Sequence, residues 1–225
     1  MSIKPLDCIE IRTGEPCDHS VVWLHGLGAS GHDFEPVVPA LELLSRPGVR
    51  FVFPHAPVRP ITVNGGAAMR AWYDIDSLDF ESRDHDGDGI RESAAAVGAL
   101  VEREIERGVP AANIVLAGFS QGGAIALYAG YAGAHRLGGI LALSTYLPLQ
   151  SEVLPGIDDA RREVPLLMCH GVADEVVPLR AGERSRSALE ASGAAIDWRT
   201  YPIGHNVSAE EVADVGAWMR RLFGM

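Results

Sequence analysis

Gly118-Phe119-Ser120-Gln121-Gly122-Gly123, led in by Ile114-Val115-Leu116-Ala117, decides how this chain of 225 residues folds. The leading run is short, continuous, apolar and β-branched at its start, which predicts a strand buried on both faces. The trailing Ala124-Ile125-Ala126-Leu127-Tyr128-Ala129 is rich in small residues and leucine, and predicts a helix packed on a sheet. Between them stands G-x-S-x-G, a turn that forces a serine into a strained backbone conformation and pushes its hydroxyl outward. A side chain at 118 or 122 would collide with the neighbouring strand or helix, so both positions need glycine. The turn also sets the backbone N–H of Gln121 and the positive end of a helix beside the serine, where negative charge is favoured. Ser120 is therefore expected to act as a nucleophile, with Gln121 N–H as one oxyanion donor.

Outward from this turn, strands and helices alternate. Residues 8–12 alternate in polarity and predict a peripheral strand, which Thr13-Gly14-Glu15-Pro16 turns back. Val21-Val22-Trp23-Leu24 predicts a buried strand that runs into His25-Gly26-Leu27-Gly28. Ligands in parallel sheets bind beyond the carboxyl ends of the strands, so this glycine loop is expected on the same rim as Ser120. Its job there is to supply a second oxyanion N–H, that of Leu27. A helix is expected over Phe34 to Leu44 and a strand over Arg50 to Phe53, followed by a loop-rich stretch from Pro54 to Asp79. Long irregular stretches in compact domains often carry function, and this one, with Trp72, is expected to wall a substrate groove.

Asp84-His85-Asp86-Gly87-Asp88-Gly89 imitates the start of a calcium loop, but position twelve is Ala95 where a bidentate glutamate is required. It is read instead as an acidic turn favouring the N-terminus of a helix over Glu92 to Arg107, whose apolar face is Ala94, Val97, Val101 and Ile105. Strands are expected at 139–143 and 165–169, and a half-exposed edge strand at 196–200. The closing helix opens with the capping box Ser208-Ala209-Glu210-Glu211 and shows the apolar face Val212, Val215, Met219 and Leu222. The pattern predicts one α/β domain over residues 1–225, with a mostly parallel central sheet and helices on both faces.

A serine hydroxyl needs a base to take its proton and an acid to orient the base. Of the histidines after Ser120, His135 lies near the end of the helix after the turn and His170 precedes the best acid. Only His205 follows a late strand and precedes the last helix, where a loop can hang it over the rim. Asp197 falls within a strand, and Asp158 and Asp159 sit in an arginine-rich loop with no strand leading in. Asp174 follows a buried strand through a glycine turn, so it is the expected acid. The other histidines show no metal-ligand spacing, and neither metal nor cofactor is expected.

A net charge of −11 argues against nucleic acid or an anionic membrane surface as partner. Three cysteines with no framework spacing fit a reducing compartment, and no apolar run approaches membrane-spanning length. A cytoplasmic protein without stable membrane insertion is expected, with a homodimer as the assembly to consider.

Taken as a set, His25-Gly26-Leu27-Gly28, Trp72-Tyr73-Asp74, Gly118 to Gly123, Ser144-Thr145-Tyr146-Leu147-Pro148, His170-Gly171 with Asp174 and Val177-Pro178, and Gly204-His205 resemble the phospholipase/carboxylesterase family of α/β-hydrolases. The matches run in family order over most of the chain. The resemblance implies Ser120 as nucleophile, Asp174 as orienting acid, His205 as base, and Leu27 and Gln121 as backbone oxyanion donors. It implies hydrolysis of short-to-medium acyl esters, small or lipid-like, through an acyl-enzyme. The alternative is an acyl-protein thioesterase or lysophospholipase acting on long acyl chains, and a remoter one is a non-catalytic binding protein on the same fold. Ala29, where many members carry Asp, resembles the bacterial esterase branch. The acyl groove is expected near Leu27, Trp72, Tyr146, Leu147 and Val176.

Overall fold

The computed structural model describes residues 5–43, 47–77 and 85–225. The expected helix end at Leu44, the loop end at Asp79, Asp84 of the acidic turn and the N-terminal residues 1–4 lie outside them. The chain runs β1 (Cys8–Arg12), β2 (Cys17–Leu24), β3 (Gly48–Pro54), a small hairpin of β4 (Val58–Ile61) and β5 (Ala67–Arg70), then α1 (Gly87–Glu106). There follow β6 (Ile114–Phe119), α2 (Gln121–Ala132), β7 (Gly139–Leu143), the short α3 (Gln150–Val153) and α4 (Asp159–Arg162), β8 (Leu166–Gly171), α5 (Leu179–Ala191), β9 (Ile196–Tyr201) and α6 (Ala209–Phe223).

Seven strands form one sheet in the order β1-β3-β2-β6-β7-β8-β9. Only β1 is antiparallel to its neighbour, and β9 is paired on one side alone. Because side chains alternate across a strand, each central strand feeds two cores. Val22, Leu24, Leu116, Ile140 and Met168 face α1, α2 and α5, with Val97, Val101, Ile125 and Leu189 packed on them. Val21, Trp23, Val115, Leu141 and Cys169 face α6, with Val215, Trp218, Met219 and Phe223 packed there. Burial on both faces is why these strands read as unbroken apolar runs.

Three local expectations are corrected. The helix expected over Phe34 to Leu44 is a 3-10 helix, Glu35–Leu41, because Pro36 stands in its first turn and Pro39 inside it removes an N–H donor. The stretch after Pro54 is not all loop: β4 and β5 pair there, and Gly65 and Gly66, both at positive φ, make the turn between them. Helix α1 starts a turn early, at Gly87, because the Asp86 carboxylate caps it by accepting from Gly89 N–H at 2.9 Å. Among the described residues no helix is long and apolar enough to cross a membrane.

Half of the expected capping box forms. Ser208 Oγ accepts from Glu211 N–H at 3.1 Å, but the fully buried Glu211 carboxyl has no hydrogen-bond partner among the described residues. Burial, helped by the nearby Asp214 charge, pushes its pKa up to about 7. The folded chain thus holds a proton there that the unfolded chain releases above its ordinary value of 4.5. The stability this gives is complete below that value and is lost as pH rises through about 7. Glu211→Gln, neutral at every pH, is therefore expected to exceed the parent by about 3 kcal/mol in alkaline urea unfolding, the gap closing near pH 5. A gap independent of pH would show that the carboxyl does not titrate as its burial requires.

Candidate active site

The strand ends put the chemistry on one rim. Ser120 follows β6 with φ 53° and ψ −121°, a conformation that costs roughly 1–3 kcal/mol and persists only where the surroundings enforce it. They do so from several sides. Its N–H donates to Leu143 O at 2.9 Å, and its carbonyl accepts from Thr145 Oγ1 at 2.7 Å and Ala124 N–H at 3.1 Å. A Cβ at Gly118 would stand 2.3 Å from Gly122 O, and one at Gly122 would stand 2.5 Å from the carbonyl oxygens of Leu24 and His25. The elbow glycines are therefore required by backbone contacts that no side chain can share.

His205 lies in the loop after β9, its ring against Phe119 with centroids 4.7 Å apart. Its Nε2 is 2.9 Å from Ser120 Oγ and its Nδ1 is 2.7 Å from Asp174 Oδ2. The other oxygen, Asp174 Oδ1, accepts from Val176 N–H at 2.9 Å and Val177 N–H at 2.8 Å. Burial by itself would raise the Asp174 pKa, but the hydrogen bonds from His205 and Val177 outweigh it and hold the carboxyl below its ordinary range. The loops that carry Asp174 and His205 are stitched together: Val172 N–H donates to Tyr201 O at 2.9 Å and Ala173 N–H to Ile203 O at 3.0 Å. Gly171 lets them approach, since a Cβ there would lie 2.4 Å from Gly204 O. His170, buried beneath, donates from Nε2 to Val177 O at 2.9 Å and so braces the acid loop.

The glycine loop after β2 lies against the serine. A Cβ on Gly26 would sit 3.5 Å from Ser120 Cβ. Ala29 N–H reaches Gly26 O at 3.3 Å around Leu27 and Gly28, the latter at φ 76°, which is a turn that needs glycine in its third place. Gly28 N–H donates to Arg70 O at 2.8 Å. His25 anchors the loop from below. Its Nδ1–H donates to Gly26 O at 2.7 Å and its Nε2 accepts from Ala56 N–H at 3.1 Å, which fixes one neutral tautomer. Burial pushes the His25 pKa down to about 4, consistent with that neutral form. Gln121 opens α2, where a first-turn N–H has no carbonyl of its own helix to bond.

The structure does not assemble the expected groove as a set. Trp72 is fully buried: its indole N–H donates to His25 O at 2.8 Å and its backbone N–H to Gln121 Oε1 at 2.8 Å. It supports the glycine loop and offers no surface to a ligand. Tyr146 and Leu147 are also buried, Tyr146 sharing a hydroxyl hydrogen bond of 2.8 Å with Tyr73 and Leu147 N–H donating to Ser185 Oγ at 2.8 Å. Leu27 is half-buried, and Val176 is exposed. Val172, missed in the sequence, is equally exposed on the other side of Asp174. Two exposed valines thus flank Asp174 in sequence. Among the described residues no three or more His, Cys, Asp or Glu side chains gather as a metal site.

A mostly parallel sheet with Ser120 after β6, Asp174 after β8 and His205 after β9 has the α/β-hydrolase arrangement, and the chain is a serine hydrolase of that fold. The model of the phospholipase/carboxylesterase family matches residues 7–222, and the chain belongs to that family. It is 39% identical over 210 residues to acyl-protein thioesterase 1 of Gibberella zeae, covering 90% of this chain and 89% of the relative. Against acyl-protein thioesterase 1 of Yarrowia lipolytica it is 35% identical over 221 residues, covering 96% and 97%. The crystal structure of Zea mays acyl-protein thioesterase 2 superposes with a TM-score of 0.85 at 30% identity, covering 97% of this chain and 99% of that one. These names favour the alternative expectation over short-ester hydrolysis, and the lean toward bacterial esterases taken from Ala29 is outweighed by identity spread over the whole chain.

Proposed function

We propose that this hydrolase cleaves acyl thioesters, with S-acylated protein cysteines as its substrate class. The observation that carries the reading is the likeness, over most of both chains, to proteins named acyl-protein thioesterase. The exposed Val172 and Val176 beside Asp174 support an apolar acyl chain lying across the rim.

In the mechanism, His205 Nε2 takes the proton of Ser120 Oγ as that oxygen attacks the thioester carbonyl. The N–H groups of Leu27 and Gln121 hold the resulting oxyanion, each worth about 10²–10³-fold in rate. The carbon–sulfur bond then breaks, the thiol leaves with the proton from His205, and the acyl group stays on Ser120. Water, deprotonated by His205, attacks the acyl-enzyme, and the carboxylic acid departs as Ser120 Oγ regains its proton. Asp174 stays ionised throughout and stabilises the imidazolium formed in each half.

Matched thioesters and oxygen esters from acetyl to palmitoyl test this reading. Thioesters are expected to give the higher kcat/KM, rising to octanoyl or longer. A maximum at acetyl or butyryl oxygen esters would replace it with a short-chain carboxylesterase.

A further inference from the structure

Beside the glycine loop lies an open depression of about 430 Å³, lined by Gly28, Ala29, Ser30, His32, Asp33 and Arg70. It is next to the chemistry, since Gly28 follows Leu27 and the same loop touches Ser120 through Gly26. Two of its polar side chains are already engaged. His32 Nδ1 is 2.9 Å from Glu35 Oε2, and Ser30 Oγ accepts from His32 N–H at 3.3 Å. The two charged ones differ. Arg70 donates through Nη1 to Ala56 O at 2.9 Å, and among the described residues no carboxylate lies within ion-pair distance of it. Asp33 spends its N–H on Ser30 O at 3.0 Å, while its carboxylate receives no hydrogen bond or ion pair among the described residues. Most other arginines of this acidic chain sit on carboxylates, such as Arg50 on Glu104, Arg91 on Glu152 and Arg199 on Asp197.

A donor and an acceptor of full charge thus line one open space without touching each other. Both face open space in the free protein, and a ligand satisfies both only if it brings an acceptor and a donor together. A main-chain amide does so, with its carbonyl and its N–H pointing in opposite directions. A simple thiol or alcohol, once acylated, carries no donor hydrogen and does not. We propose that this depression is the leaving-group subsite and that it reads the polypeptide beside the acylated cysteine, Arg70 donating to a main-chain carbonyl and Asp33 accepting a main-chain N–H. The proposal rests on the thioesterase reading above and adds which residues select a peptide over other leaving groups.

The test holds the acyl group at octanoyl and varies what carries it: a small neutral thiol, a cysteine inside a short capped peptide, and glycerophosphocholine as an oxygen ester. The peptide is expected to exceed the small thiol about tenfold in kcat/KM, chiefly through KM, because charge-assisted hydrogen bonds are among the stronger ones. Arg70→Gln and Asp33→Asn are each expected to lower that ratio several-fold. Asp33 is at the surface, so its variant carries the test should Arg70→Gln fail to fold. A wild-type ratio near one, or a ratio that neither folded variant moves, overturns the subsite. So does a headgroup ester outrunning the peptide with the same sensitivity to both variants, which would assign the depression to lipid. Cleavage of oxygen esters with no cleavage of either thioester would sink the thioesterase reading alone. The comparison is then repeated with octanoyl on a serine peptide and on a simple alcohol, and the same ratios decide the subsite.

Discussion

Ser120→Ala is expected to lose on the order of 10⁶-fold in kcat on any acyl substrate while unfolding as cooperatively as the parent. The size follows from what the hydroxyl does: without Oγ there is no acyl-enzyme, and His205, now 31 residues from its acid in sequence but still bonded to it, has no proton to move. Ser120 makes its folding contacts through its backbone, by Leu143 O, Thr145 Oγ1 and Ala124 N–H, and alanine keeps all three. Hydrolysis of an octanoyl thioester, with labelling by a fluorophosphonate in parallel, measures the loss. A variant that keeps a tenth of the parent rate would remove Ser120 from the reaction.

Asp174→Asn is expected to cost about 10⁴-fold in kcat, more than a change of one atom suggests. In the parent, Asp174 Oδ1 is held by two N–H donors, from Val176 and Val177, and Oδ2 accepts from His205 Nδ1. The amide oxygen of asparagine must occupy the Oδ1 place, since an NH₂ there would meet two donors. Its NH₂ then faces His205 Nδ1, which has to become an acceptor. The ring proton moves to Nε2, the nitrogen that ought to receive the serine proton, and the base is disabled by its tautomer. The expected signature is a fall in kcat with KM nearly unchanged. Equal losses in asparagine and alanine variants would argue against the tautomer and for simple loss of charge.

Much of this site was legible because local rules write it. A strained serine turn needs glycines within two residues on each side, and a buried parallel strand needs an apolar run, so Ser120 and its frame could be read from residues 114–123. His205 and Asp174 were singled out by elimination, each placed after a strand and before a helix, and the structure brings both to Ser120. Trp72 was not. Its burial depends on Gln121, 49 residues away, and on His25, 47 residues away, and no spacing within the loop records either contact. The burial of Tyr146 and Leu147 was hidden for the same reason, their partners Tyr73 and Ser185 being remote. The 3-10 helix is a different kind of miss, for Pro36 and Pro39 were in plain view in the sequence. Val172 and the pair of Arg70 and Asp33, which meet no opposite charge among the described residues, follow no period, because exposure in loops is decided by where the whole rim turns.

The placement of β9 has a consequence for how this protein would wear out. His205 hangs from an outermost strand, which among the described residues has a neighbour on one side only, and Ser120 from the middle of the sheet. Margins fray before centres, and they do so at free energies well short of that needed to unravel the whole. Warming would therefore silence the chemistry while the bulk of the molecule still looked intact. Because the acid loop is sewn to the base loop, the two would part from Ser120 together and return together on cooling. Residual activity would then follow the state of one seam, and a bulk spectroscopic melt would report on something else.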